Sequence, residues 1–271
     1  MAGLITRLTR RRAPRPPAGP SLADAPRVLV CGASGRIGAA VAEAFANNGA
    51  RLHLHYHSNR SAAERLARRL ATGAGAEHMP QPDAADLRDA TAARELLERA
   101  AARLGGVDVL ITCIGQARDN PLPMVAAADL AQCLEDNLRP VVNACEAFRA
   151  QRAGRPGGRI VNVSSITGLV GQPMRVAYGA AKGAVISYTK SLAREVAPEG
   201  MTANCVAPQV IDGGLADLMK LRVREILLDN TPVGRACTPA DVAHAVTYLA
   251  APGAGFVTGT ALPVTGGLVT W

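Results

Sequence analysis

Residues 27–38 read RVLVCGASGRIG, and the expected fold follows from them. Val28 to Cys31 are apolar without alternation, which suits a strand buried on both faces, as in a parallel sheet. The run passes straight into Gly32-Ala-Ser-Gly-Arg-Ile-Gly38 and then into alanine-rich sequence predicted as a helix over 36–48. Strand, glycine turn and helix in that order make a phosphate-binding arrangement. Glycines let backbone N–H groups approach a pyrophosphate, and the helix N-terminus adds positive potential.

The remaining chain keeps alternating. Strands are expected at 51–56, 77–81, 107–111, 159–163, 201–206 and 261–264. Helices are expected at 61–71, 89–103, 125–150 and 176–197, with a last one capped by Thr238-Pro239 and running to 251. Ser61, with Glu64 three residues later, reads as a capping box for the second helix. Pro140 cannot donate to the carbonyl of residue 136, so the long helix should kink there. Segment 212–235, with Gly213 and Gly214, reads as mobile, with a short amphipathic helix; its 212–231 part is expected to act as a lid. There is no internal repeat. The pattern predicts an α/β fold: a single doubly wound parallel β-sheet of Rossmann type, with helices on both faces.

Composition narrows the class. The chain has 271 residues, of which 48% are hydrophobic but only 3% aromatic. Its core must therefore be built from Ala, Val, Leu and Ile. The formal charge is +8, and half of it sits in residues 1–26, where five arginines face only Asp24. Pro14, Pro16, Pro17 and Pro20 prevent a continuing helix there. We expect 1–26 to be a flexible basic tail and 27–271 one Rossmann-type domain. An organelle-targeting segment or an early start codon are alternatives for the tail. No basic stripe interleaved with aromatics suggests nucleic acid, and no run of 18 apolar residues suggests a membrane span. The six cysteines lack C-x-x-C spacing, which fits buried thiols in a reducing cytoplasm rather than disulfides or zinc. His53, His55 and His57 alternate on one strand face, where the end of a strand explains them more simply than a metal.

Residues 164–182 read SSITGLVGQPMRVAYGAAK. On a helix, Tyr178 and Lys182 lie one above the other, about 6 Å apart along the axis. An ammonium there favours the phenolate and lowers the tyrosine pKa, making an acid able to exchange a proton with a carbonyl. The same spacing also fits an ordinary exposed helix pair. Lysine is rare in this chain, with only Lys182, Lys190 and Lys220, so its choice at 182 suggests a role arginine cannot fill. The second strand ends in His57-Ser-Asn-Arg-Ser61, without the acid that would hold a ribose 2′-hydroxyl. Ser58, Asn59 and Arg60, with Arg36 from the glycine turn, instead suit a 2′-phosphate, and hence NADP(H).

Taken jointly, these residues resemble the short-chain dehydrogenase/reductase family, most of all its 3-oxoacyl-[acyl-carrier-protein] reductases. The resemblance covers 27–271. It rests on the glycine turn, Asp86, Gly115, Asn137, Ser165, Tyr178/Lys182, the segment NCVAPQVI at 204–211 and the final VTGG. It implies that NADPH gives hydride to a ketone, Tyr178 protonates the oxygen, Ser165 holds it, Lys182 assists Tyr178, and Asn137 holds a relay water. It also implies cofactor contacts from Gly32, Ser34, Arg36, Ile37, Gly38, Asp86, Leu87, Cys113, Gly115, Pro208 and Ile211, besides Tyr178 and Lys182. Substrate contacts would come from Ile166, Thr167, Gln172 and Met174. A homotetramer is implied, built on the long helices and the last strand.

Three motifs depart from the pattern: Arg36 replaces a glycine, Cys113 replaces an asparagine, and Pro208-Gln209 replaces Pro-Gly. Arg36 and His55-Tyr-His57 are also similar to pteridine reductases. Arg155 is a candidate grip for an acyl carrier protein, while Glu199 stands where a second arginine would be sought. The expected activity is reduction of a 3-oxoacyl thioester, linked to acyl carrier protein or coenzyme A, in fatty-acid or polyketide metabolism. The alternatives are another carbonyl or imine (pteridine, sugar, steroid or quinone) or a non-catalytic NADP-binding subunit.

Overall fold

The first strand sets the layering. In β1 (Arg27–Cys31) Val28 and Val30 face one way, Leu29 and Cys31 the other, and all four are fully buried. That requires a helical layer on each side. The computed structural model describes residues 25–71, 79–117, 120–209, 211 and 229–270. The expected basic tail lies almost wholly outside these residues, as does most of the expected lid.

Six further strands join β1: β2 (Arg51–Tyr56), β3 (Pro82–Ala84), β4 (Val109–Thr112), β5 (Gly158–Val163), β6 (Met201–Pro208) and β7 (Ala261–Val264). All pair in parallel, in the order β3-β2-β1-β4-β5-β6-β7. The order reverses between β1 and β4, the switch point at which such sheets bind ligands beyond their carboxyl ends. Helices α1 (Arg36–Asn47), α2 (Arg60–Ala71) and α8 (Pro239–Ala250) bury Val41, Leu66 and Val246 with Val28, Val30, Val161 and Val206. On the other face, α3 (Ala90–Leu104), α5 (Arg139–Gln151) and α7 (Val176–Val196) bury Leu97, Phe148 and Val185 with Leu29, Leu110 and Ile160. Helix α4 (Ala127–Asn137) packs on α7 through Cys133, Ala177 and Ala181. No helix among the described residues is long and apolar enough to cross a membrane.

Several expectations need correction. The third strand was expected at 77–81, but 79–81 are not extended and the strand is 82–84, fixed by the register Leu54↔Pro82. Pro82 is tolerated because β3 is an edge strand. Helix α2 is capped by Asn59, whose Oδ1 accepts from Ala62 N–H at 3.1 Å. Ser61 lies inside the helix, and Glu64 binds Arg60 at 2.7 Å. The fourth strand starts at Val109 rather than 107, because the Asp108 side chain turns to Arg27 and Arg152. The proline kink is present as a full break: α4 ends at Asn137 and α5 starts at Arg139, with Pro140 in its first turn. Thr238 caps α8 as expected, in a reciprocal box with Asp241.

Two of the strand histidines are built into the sheet. His53 lies 3.3 Å from Asp83 without hydrogen-bond alignment. Burial pushes both His53 and His55 down to about 4. The unfolded chain therefore binds protons that the folded one refuses between pH 6.5 and 4. Stability should fall as pH drops through that window, by at most about 1.4 kcal/mol per pH unit for each buried histidine. Denaturant melts of wild type and His53→Gln between pH 7 and 4 check this; an unchanged slope in the variant would remove His53 from the account.

Candidate active site

Six of the segments singled out in the sequence lie just beyond the carboxyl end of a strand: 32–38 after β1, 58–60 after β2, 86–87 after β3, 113–115 after β4, Ser165 after β5, and 209 and 211 after β6. The parallel sheet brings them to one edge.

The glycine turn is shaped by close backbone approaches. Gly32 has φ +80°, and a Cβ there would sit 2.4 Å from the Cys113 carbonyl oxygen. A Cβ on Gly38 would sit 2.2 Å from the Gly32 oxygen. The turn therefore passes flush under β4 and against the first turn of α1, leaving a cradle suited to a pyrophosphate. His55 braces it. Its Nδ1 accepts from Gly32 N–H at 3.2 Å, so Nε2 carries the proton and donates to the Ala85 carbonyl at 3.0 Å. The low pKa of His55 keeps this arrangement neutral. His55 was singled out for a different reason, and nothing in the strand pattern alone marks the brace.

Around the turn, Ser34 and Ile37 are half-buried, and Arg36 is exposed at the first residue of α1. Arg36 has no ion pair with another described residue, whereas Arg60 is held by Glu64. Ser58 and Asn59 are exposed, with Asn59 engaged as the α2 cap. Asp86 binds Arg88 through Nε and Nη2, which holds its carboxyl down at about 2. Leu87 is buried. Pro208 ends β6, and its carbonyl accepts from Ile166 N–H. Ile211 bridges to Cys237. Gln209 donates from Nε2 to Thr231 at 2.9 Å.

The four candidate catalytic residues lie on β5's exit and on α4 and α7. Lys182 is 2% exposed, yet it has no carboxylate partner among the described residues. Its Nζ donates to Ile114 O at 2.8 Å and Val163 O at 3.3 Å. Burial lowers its pKa to about 8. The ammonium sits 5.9 Å from the Tyr178 ring centroid, and Tyr178 itself is half-buried. Asn137, at the end of α4, accepts from Gln116 N–H and donates to the carbonyls of Gln116 and Cys133. A Cβ on Gly115 would lie 2.7 Å from both Asn137 Oδ1 and Lys182 Nζ. Asn137 and Lys182 are thus neighbours across one missing side chain. Cys113 lines the same region, and burial raises its thiol to about 12.

Ser165 is oriented by a chain of groups. Its hydroxyl donates to Thr167 Oγ1 at 3.3 Å, and Thr167 Oγ1 donates to Gln172 Oε1 at 2.7 Å. Ile166 and Thr167 are both buried, and Thr167 N–H also donates to Ser165 Oγ at 3.2 Å. Met174 is exposed and is the one non-glycine described residue with positive φ, +66°; its carbonyl accepts from Asn120 N–H. Two supports escaped the sequence reading. Ser164 Oγ donates to Lys182 O at 2.7 Å. A Cβ on Gly168 would strike the Lys182 carbonyl carbon at 2.6 Å, so α6 (Thr167–Val170) rests directly on the α7 backbone. The small residue at 168 is the signal that marks this contact.

Arg155 and Glu199 do not join this cluster. They lie at the opposite edge of the sheet, beside a groove also lined by Arg149 and Arg152. There Glu199 pairs with Arg149 at 2.8 Å.

A family model described as enoyl-(acyl carrier protein) reductase matches residues 32–269. Nodulation protein G of Rhizobium meliloti (strain 1021) is 36% identical over 242 residues, covering 89% of this chain and 96% of that protein. The 3-oxoacyl-[acyl-carrier-protein] reductase FabG of Vibrio cholerae serotype O1 is 34% identical over the same shares, and that of Staphylococcus aureus (strain Mu50) is 31% identical over 240 residues. The chain belongs to the short-chain dehydrogenase/reductase family and is an oxidoreductase.

Proposed function

We propose that the protein reduces a 3-oxoacyl thioester to the 3-hydroxyacyl product with NADPH. The observation that carries this is the buried Lys182 ammonium beneath Tyr178, with Asn137 beside it across Gly115. The cradle at Gly32 and Gly38 fits a dinucleotide, and NADPH supplies the hydride when bound. The chain's own residues handle the proton. Ser165 donates a hydrogen bond to the carbonyl oxygen as charge builds on it. Tyr178 gives that oxygen its proton. Lys182 stabilises the phenolate left behind, and Asn137 holds the route by which Lys182 and Tyr178 regain a proton from solvent. The names of the FabG relatives supply the 3-oxoacyl substrate. The family model's description instead names enoyl reduction, so crotonyl and acetoacetyl thioesters should be compared directly.

For carrier-protein delivery Arg155 is the candidate grip, in a groove where Arg149 is already paired with Glu199. We further propose a homotetramer. Phe256, in the segment leading to edge strand β7, is fully exposed, and Tyr248 on α8 is half exposed; exposed aromatics suit an interface.

Three outcomes are expected. Tyr178→Phe should bind NADPH but lose about 10²–10⁴-fold in kcat toward acetoacetyl thioester. In wild type, kcat/KM should fall as pH rises through about 8, where Lys182 gives up its charge. If NADPH binds and no 3-oxoacyl substrate turns over, the substrate assignment is wrong.

Arg36→Ala should raise the KM for NADPH by about 10- to 100-fold, the loss of one charge-assisted bond to a phosphate, while leaving NADH unaffected. Arg60→Ala should do much less, because Glu64 already occupies that guanidinium. Steady-state kinetics with both cofactors separates the two arginines.

Phe256→Asp should shift the sedimentation coefficient from tetramer to a smaller species while the far-ultraviolet circular dichroism is kept. A tetramer that survives this change would place the interface elsewhere.

A further inference from the structure

The loop after β3 grips the break between α4 and α5 from both sides. Arg88 is closed onto Asp86: its backbone N–H, Nε and Nη2 all donate to that carboxylate, at 2.7–3.1 Å. This leaves Nη1 free to reach across to Asp136 Oδ1 at 3.3 Å. Asp136 is the residue before Asn137, its side chain is only 9% exposed, and it also accepts from Gln132 Nε2 at 3.0 Å. Beyond the break, Asn143 on α5 donates to both Leu87 O and Arg88 O, at 2.8 and 2.9 Å. One three-residue loop thus fastens the last turn of α4 and the second turn of α5.

An exposed ion pair by itself contributes little. This contact differs in two respects: its Asp136 end is nearly buried, and Asn143 repeats the attachment on the other helix. The break needs such a fastening. Pro140 interrupts the backbone ladder, and two helices joined at one residue can pivot about it.

We propose that Arg88 is a positioning residue that couples the Asp86 contact of the cofactor site to Asn137. The proposal rests on the cofactor role of Asp86 and the catalytic role of Asn137 given above. A carboxylate offers about four acceptor positions, and Arg88 already occupies most of those on Asp86. A cofactor donor group arriving there must share the carboxylate with the guanidinium. Whatever this changes in the hold of Arg88 on Asp86 is transmitted through Nη1 to Asp136, and so to the turn that aims Asn137. Cofactor binding at one end then sets the proton route at the other.

Amide hydrogen exchange on the full chain, with and without NADPH, tests this in wild type, Arg88→Leu and Asp136→Asn. In wild type NADPH should slow exchange at 32–38 and also across 127–138. In both variants the protection at 32–38 should remain, whereas that across 127–138 should be lost. Asp136→Asn, which does not touch the cofactor, should lower kcat about fivefold with a smaller change in the KM for NADPH. Arg88→Lys, which keeps the charge but not the fork, should recover only part of the loss. Equal protection of α4 in wild type and in Asp136→Asn would overturn the coupling. Failure of wild type to bind NADPH would overturn the cofactor reading, and the coupling with it. Binding without turnover of any 3-oxoacyl substrate leaves the exchange experiment decisive for Arg88.

Discussion

A buried ammonium without a carboxylate is the constraint on which the site depends. Lys182 is held by two carbonyls, one just past β4 and one at the end of β5. Neutral acceptors cannot repay the full cost of removing a charge from water, which is why its pKa falls toward 8. A carboxylate partner would have stabilised the lysine more and left less of its field for Tyr178. The site keeps its cation under-compensated, and the surroundings are rigid enough to tolerate it. Ser164 ties the Lys182 carbonyl to β5, and Gly168 lets α6 lie on the same turn of α7.

Rigidity of this kind comes from small residues. With 3% aromatic content, the chain cannot fill gaps with large rings. Instead it brings backbones together at several points, with glycine where they touch most closely. Gly32 under β4, Gly38 on Gly32, Gly115 between Asn137 and Lys182, and Gly168 on α7 are four cases of one device. Close packing of this sort makes volume changes costly. A single added methyl at any of the four would move a functional group.

Much of this was legible in the sequence, because local chemistry and global fold agree. The unalternating run at 27–31 could only be an interior strand, and the alternation of elements after it forced a parallel sheet. Pro140 announced the break at 138, and Thr238 announced the last helix. What escaped was decided by register and by distance. The third strand moved to 82–84 because pairing with Leu54 fixed it, and Met79-Pro-Gln81 just before it carries no sign of that. Arg60 read as a free cation because its alternative, Glu64, read as a cap. Thr167 looked like a residue facing substrate because it follows the serine, whereas its hydroxyl is spent on holding Ser165 and Gln172. The bonds from Arg88 to Asp136 and from Asn143 to Leu87 span 48 and 56 residues, and no local pattern carries such pairings.

The imidazole of His55 has one more consequence. Its two nitrogens touch Gly32 on one neighbouring strand's exit and Ala85 on the other's. The ring is a spacer of fixed length between the glycine turn and the loop after β3. Neither loop can drift without breaking a buried hydrogen bond at the other. The glycine turn and the loop after β3 therefore keep a fixed spacing set by one imidazole, and a change at either is felt at the other.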